Sequence, residues 1–419
     1  MTNASRPAAP PEIDQQHHIV EEAIPLLAMS GIRGATLRDV AGRCGASIAS
    51  IANLFGNKDG LIAACFAEVV RLDIARLDAL IAECREMEVP RDLLPTFLWT
   101  LCEEAGGARR TEMLVLVELL LSAAISPQYG ELCRQWLTAR RDAFRRVAGD
   151  HDLDPLALDI LGLHLISESS FAVSCAASAS YGILARAGFI EAAARLTGLG
   201  EVGIVPGMAA LADRFFADPD AGNRSEGAEA KGRGAESRAR IVDAAASIIE
   251  GEGLAAVTNR AVADRAGVSL ALTTYHFKSV TDLSFAGILR VFEKVNTGLR
   301  TAATRTRARG DAVDRIRSRS QPSGVERLRS RGMAEISLAA ARGLADVSLG
   351  LAMRQQRGTI THASLGPDMR AEITRTRAAS HALWSSAAFL ATAALADADS
   401  LFDFEEQARF AAERLLEAS

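Results

Sequence analysis

Residues 36–61 read TLRDVAGRCGASIASIANLFGNKDGL, and 222 residues later 258–283 read TNRAVADRAGVSLALTTYHFKSVTDL. The two stretches align without a gap: Thr36 with Thr258, Arg38 with Arg260, Val40-Ala41 with Val262-Ala263, Gly45 with Gly267, Ser47 with Ser269, Phe55 with Phe277, Leu61 with Leu283. Identities at one fixed shift mark an internal repeat. Thr36 opens a short helix, with Asp39 three residues on as a weak capping box. Gly45 supplies a turn, since a residue without Cβ tolerates the left-handed conformation. Ser47 caps the next short helix, and Asn57 caps a fourth. In the second copy Thr258, Gly267 and Ser269 repeat the scheme, with a fourth helix from about Ser279. Two short helices around a glycine turn form a helix-turn-helix, whose second helix can enter a major groove.

The repeat extends upstream, where Ile19-Val20-Glu21-Glu22-Ala23 is echoed by Ile241-Val242-Asp243-Ala244-Ala245. Apolar spacing at Ile19, Ala23, Leu26 and Leu27 predicts a helix ended by Gly31, with Pro25 kinking or weakening it. Its counterpart spans 237–250. The segment 217–236, rich in Gly, Ala, Asp, Glu and Ser, cannot bury a core and reads as a flexible linker. The organisation is then a disordered tail (1–16), a first head (17–62), a first helical body (63–216), the linker, a second head (237–284) and a second body (285–419).

Composition supports helix throughout. The 419 residues are 49% hydrophobic but only 5% aromatic, with long Ala/Leu/Arg/Glu stretches and few β-branched runs. The fold class is all-α, in two tandem units, each a helix-turn-helix head followed by a helical body. A net charge of −5 does not exclude DNA, which needs only a local basic face. All six cysteines lie in the first half without metal-ligand spacing and read as free thiols of a reducing cytoplasm. The apolar run 156–184 raises a membrane question, but Asp159, His164, Glu168 and Arg186 in and beside it favour a buried core helix. The sequence is read as cytoplasmic, with no membrane partner, metal or cofactor. It has no H-E-x-x-H, G-x-S-x-G, P-loop or strand-borne G-x-G-x-x-G, so no enzymatic activity is expected.

The runs Thr36-Leu37-Arg38-Asp39-Val40-Ala41 and Phe55-Gly56-Asn57-Lys58-Asp59-Gly60-Leu61 resemble the DNA-binding signature of the tetracycline-repressor (TetR) family. In the second copy Val262-Ala263, Ala266-Gly267-Val268-Ser269 and Thr274-Tyr275-His276-Phe277 resemble the same signature. The resemblance implies a DNA head on a larger body that dimerises and encloses a pocket for a small-molecule effector. Each copy departs from the pattern. The second keeps Tyr275 and His276 where the first has Asn53 and Leu54. The first keeps Lys58 at the start of the fourth helix, where the second has Val280 with Lys278 nearby.

For base readout the candidates are Ser47, Ile48 and Ser50, and Leu270, Leu272 and Thr273, because hydroxyls address several base edges and apolar tips meet thymine methyls. For phosphate they are Arg38, Asn53 and Lys58, and Arg260, Tyr275, His276 and Lys278. Phe55, Phe277, Val40 and Val262 read as core. In the bodies, Trp136, Phe144, His164, Glu168 and Phe171, with Met353, His381, Trp384 and Phe389, are candidate ligand-pocket residues, against the plainer reading of ordinary core. His164 and Glu168, four apart, share a helix face. Gly149-Asp150-His151-Asp152 reads as an interhelical loop, with Asp154 capping a helix at Pro155. The Arg-rich stretch 300–331 reads as a solvated helical connection, or else as a nonspecific phosphate contact.

The function expected is a sequence-specific DNA-binding regulator, by family default a repressor released by an effector. Its partners are an operator and either a homodimer mate or its own second copy, as an intramolecular pseudo-dimer. The alternative is a scaffold in which one or both heads no longer bind DNA specifically.

Overall fold

The structure is a computed structural model describing residues 12–199, 208–216, 233–306, 324–344, 347–365, 367–395 and 398–416. Among them it is helical, with no strand. The first head comprises α1 (Glu12–Gly34), α2 (Leu37–Cys44), α3 (Ile48–Phe55) and the start of α4 (Lys58–Glu86). The first body follows as α5 (Leu94–Gly106), α6 (Arg110–Ala123), α7 (Gly130–Asp150), α8 (Pro155–Cys175), α9 (Ala179–Thr197) and α10 (Met208–Phe215).

The second head is α11 (Arg233–Glu252), α12 (Asn259–Ala266), α13 (Leu270–His276) and the start of α14 (Val280–Thr306). Its body holds α15 (Gly324–Ala341), α16 (Val347–Gln355), α17 (Thr359–Ser364), α18 (Pro367–Glu372), α19 (Arg375–Ala394), α20 (Ala398–Phe402) and α21 (Phe404–Leu416).

The heads are built by the capping the sequence announces. Thr36 accepts from Asp39 N–H, Ser47 from Ser50 N–H and Asn57 from Gly60 N–H. Thr258, Ser269 and Ser279 do the same for Ala261, Leu272 and Asp282. Gly45 and Gly267 turn the chain at φ 66° and 64°. Each head has one small core at matching positions: Ile19, Ala23, Leu27, Val40, Ile51 and Leu61 in the first, Ile241, Ala245, Ile249, Val262, Thr273 and Leu283 in the second.

Several expectations need correction. Residues 12–16, expected in the disordered tail, and 233–236, expected in the linker, are helical; 1–11 and 217–232 lie outside the described residues. Pro25 leaves α1 helical, and the break falls at Gly31, with φ 68° and ψ 178°. Pro25 deprives only the Glu21 carbonyl of a partner, and Glu21 is exposed, so water can serve it. Gly31 ends the first helix, as expected, and one separate helical turn follows it, as Leu254–Ala256 follows Gly253. Helices α4 and α14 run straight through the expected head–body boundaries, so each head is joined rigidly to its body.

The bodies meet in a four-helix bundle of α8 and α9 from the first copy and α19 and α21 from the second, with every pair in contact. Asp154 caps α8 through Leu156 N–H at 2.9 Å. Residues 157–175 are buried on every side, which explains why α8 is apolar all round. It is long and apolar enough to cross a membrane, but here it is the centre of the bundle.

Candidate nucleic-acid interface

Recognition helices α3 and α13 each turn one side inward and the other to solvent. Ile48 and Leu270, at matching positions, are 45% and 51% exposed. Both alkyl groups stand on the solvent side of their helices, outside the core of the head. Ser47 is exposed, with its hydroxyl holding the cap, and half-buried Ser50 accepts from the Gln15 amide at 3.5 Å. Leu272, which matches Ser50, leans on the core.

Thr273 corrects the sequence reading. It is fully buried, in the place Ile51 fills in the first copy, and its hydroxyl finds no partner among the described residues. It faces the core of the head, away from any base edge. An unpartnered buried hydroxyl costs about 1–3 kcal/mol. Thr273→Val is therefore expected to raise stability by about 1 kcal/mol and leave DNA affinity unaltered. Thermal melting together with operator titration checks both halves of that statement.

The phosphate candidates differ between the heads. Arg38 and Arg260, at matching positions, are exposed, as are Asn53 and Lys278. Tyr275 is 80% exposed, and its ring meets half-buried His276 edge-on at 5.3 Å. Lys58 instead turns back to the Arg33 carbonyl at 2.9 Å, closing the end of α1. Partial burial lowers its pKa, an effect that nearby Asp59 opposes and Arg33 reinforces. Phe55, read as core, is only half-buried, whereas Phe277, Val40 and Val262 are core.

Sequence reading missed Arg238 and Arg240 on α11. Arg238 lies over the Phe277 ring at 5.1 Å, and Arg240 donates to the Ala266 and Gly267 carbonyls at the turn. They bring two more cations beside α13, while the first copy has Gln16 and His18 at those positions. Reading the repeat alignment upstream of Ile241 would have found them.

The ligand candidates of the bodies are buried and largely satisfied by protein. Trp136 donates to Asp73 at 2.8 Å, beside Arg140 at 2.7 Å, and Trp384 donates to Gln407 at 3.0 Å. Phe144 packs on Gly162, Met353 is buried, and Phe389 is half-buried. His381 has no hydrogen-bond partner among the described residues, and burial lowers its pKa to about 4, so it is neutral.

His164 and Glu168 do share a face, 3.8 Å apart. The partner that the sequence did not reveal is Arg354 of the second copy, which grips Glu168 with two bonds of 2.9 and 3.0 Å. Burial works to raise the Glu168 pKa, but Arg354 and His164 outweigh it and hold the carboxyl at about 2. Arg357, over the Phe171 ring at 5.6 Å, has its pKa lowered to about 9 by burial and by Arg354.

Asp150 is engaged by Arg85 at 2.7 Å, and no metal-binding group of His, Cys, Asp and Glu occurs among the described residues. All six cysteines are free, and burial raises the thiol pKa of Cys65, Cys84, Cys102, Cys133 and Cys175. Of the Arg-rich stretch, 307–323 lie outside the described residues. Arg331 is buried and not solvated, because it faces Glu335 one turn along α15.

A cleft of about 420 Å³ lies where both heads meet both bodies. On the first side Glu118 of α6 accepts from Ile32 N–H at 3.3 Å and pairs with Arg342 at 2.7 Å. On the second side Glu335 of α15 accepts from Leu254 N–H at 3.5 Å and pairs with Arg331 at 3.4 Å. Gly31 and Gly253, both at positive φ, bring the head backbone against these charges; a Cβ would sit 3.1 Å from Arg342 and 3.0 Å from Glu335.

Comparison with known proteins agrees with this architecture. The chain matches the bacterial regulatory proteins of the tetR family twice, over residues 19–65 and 241–286. No curated protein matches the chain. The matched segments are the two capped helix-turn-helix units with their flanking helices, so the chain carries the DNA-binding domain of the tetR-family regulators twice in tandem.

Proposed function

We propose that this chain is a single-chain, two-headed repressor that does the work of a dimer and is released from DNA by a small-molecule effector. The observation that carries the reading is the bundle of α8, α9, α19 and α21, two helices from each copy, above two heads borne on continuous helices α4 and α14. Single-headed regulators dimerise because two recognition helices must span successive turns of DNA. Here the second copy supplies the partner. Such regulators act in the cytoplasm on double-stranded DNA, and nothing in the reading calls for catalysis.

Unequal heads imply an operator of two unlike half-sites. Exposed Tyr275, with Lys278, Arg260 and Arg238 around α13, makes the second head the stronger phosphate binder. Tyr275→Ala is expected to weaken operator binding about tenfold or more without moving the melting temperature. Asn53→Ala should cost less. Fluorescence anisotropy with wild-type and variant chains checks the order.

The deciding experiment is a footprint on DNA from beside the chain's own gene, with stoichiometry read on the same sample. One chain across an imperfect two-part site supports the reading. Two chains on a strictly symmetric site overturn it. No salt-sensitive binding at all would favour a scaffold whose heads have lost DNA.

A further inference from the structure

We propose that the cleft between heads and bodies binds a small, mostly apolar carboxylic acid whose carboxylate is taken by Arg331, and that occupancy changes how the heads are held. The proposal rests on the regulator reading above for its consequence, but not for the binding itself.

The two sides of the cleft are built alike and filled unequally. Arg342 is held by three partners, Glu118 and the Ala28 and Leu27 carbonyls. Arg331, 7% exposed, makes one long contact to Glu335, and its Nε finds no partner among the described residues. The buried Tyr129 hydroxyl, also in the lining, is likewise without a partner there. Unused buried donors cost free energy and are satisfied by an acceptor. A guanidinium edge suits a carboxylate. An incoming cation would find Glu118 closely paired with Arg342 and would have to lie beside the guanidiniums of both Arg331 and Arg342.

Leu121, Ile125, Leu254, Val257 and Leu344 give the cleft its apolar wall, and 420 Å³ accommodates a small organic molecule. The lining joins backbone of both heads at Gly31 and Gly253 to side chains of both bodies. A ligand here therefore touches the parts whose relative position sets the spacing of the heads, and it shifts that equilibrium by its preference for one spacing.

Glu335 supplies a proton coupling. It faces Arg331 on its own helix, Glu118 on α6, Arg342 beyond α15 and the Leu254 N–H of the second head. Burial raises its pKa, with Glu118 adding to the effect against the two arginines. When an anionic ligand takes Arg331, Glu335 accepts a proton from solvent and becomes a donor, so no carboxylate is left without its counter-charge. Binding should strengthen as pH falls.

The test is calorimetry on the full chain without DNA, using octanoate against octylammonium and octanol. Octanoate should bind at least about tenfold more tightly than either, and more tightly near pH 6 than near pH 8. Arg331→Met should weaken it about tenfold or more. Glu335→Gln should retain binding and flatten the pH dependence. Ile125→Trp, at a 46% exposed rim position, blocks the cleft without touching a buried pair and should abolish binding even if Arg331→Met folds poorly.

Preference for octylammonium, indifference to both Arg331→Met and Ile125→Trp, or no octanoate binding up to about 10 mM overturns the site. Operator affinity is then measured with and without octanoate. An unchanged affinity in a chain that binds both overturns the coupling. A chain that binds octanoate but no DNA overturns the regulator reading alone.

Discussion

Replacing Arg354 by leucine is expected to destabilise the chain by about 3–5 kcal/mol. The loss comes from leaving Glu168 charged, buried and alone. Glu168 sits at the centre of α8, fully buried, and Arg354 reaches it from the other copy with two bonds. Removing both members together is expected to cost less than removing one, because a buried pair often does little better than well-packed apolar groups of similar volume. The double variant Glu168→Met with Arg354→Leu should therefore recover much of the loss in a denaturant titration. Equal or additive losses would show that the pair is not the source.

The two proteins should also differ in the sign of their response to acid. In the wild type the Glu168 pKa lies near 2, below the ordinary unfolded carboxyl value of about 4.3. Its contribution is thus present above that value and is lost as pH falls toward 2. Without Arg354, burial dominates and the carboxyl pKa rises. The variant then gains stability as pH drops from neutrality and the group protonates, while the wild type only loses it.

Gly358→Ala is expected to cost about 2–5 kcal/mol, from a left-handed backbone penalty of about 1–2 and overpacking of about 1–3. Gly358 separates α16 from α17 with φ 77°, and a Cβ there would lie 2.3 Å from the Ala379 backbone nitrogen. That backbone belongs to α19, a member of the shared bundle, so no rotamer change relieves the contact. Gly149→Ala is the control. It is exposed near the end of α7, with nothing within 4 Å of its Cβ, and should gain up to about 1 kcal/mol in helix propensity. Melting curves of the two variants should move in opposite directions.

The heads were legible in the sequence because their determinants are local. A cap acts over three residues and a turn glycine over one, and the repeat supplied a second reading of each. What failed required knowing which way a side chain faces. Thr273 looks like a base reader by type, and only the apolar Ile51 at the matching position betrays its inward direction. Lys58 matches its motif by identity, yet its amine follows the nearest carbonyl, that of Arg33.

The Glu168–Arg354 pair joins residues 186 apart in the chain. No periodicity encodes such a contact, and a solitary buried Glu gave only the hint that something must neutralise it. The cleft escaped sequence reading for a similar reason, since Glu118 and Glu335 are unremarkable glutamates until two heads and two bodies meet around them.

The bundle joining the two copies also fixes how binding responds to dilution and to mutation. Two separate subunits fall apart as they become scarce, so their DNA occupancy drops faster than their number. Where one chain fills the operator, as proposed above, heads that share one backbone stay paired at any concentration, and occupancy should follow the first power of chain abundance. A substitution in a symmetric dimer alters both half-sites at once; in the single-chain repressor proposed above it would alter one, leaving each head free to drift toward its own sequence while the other keeps the protein on DNA.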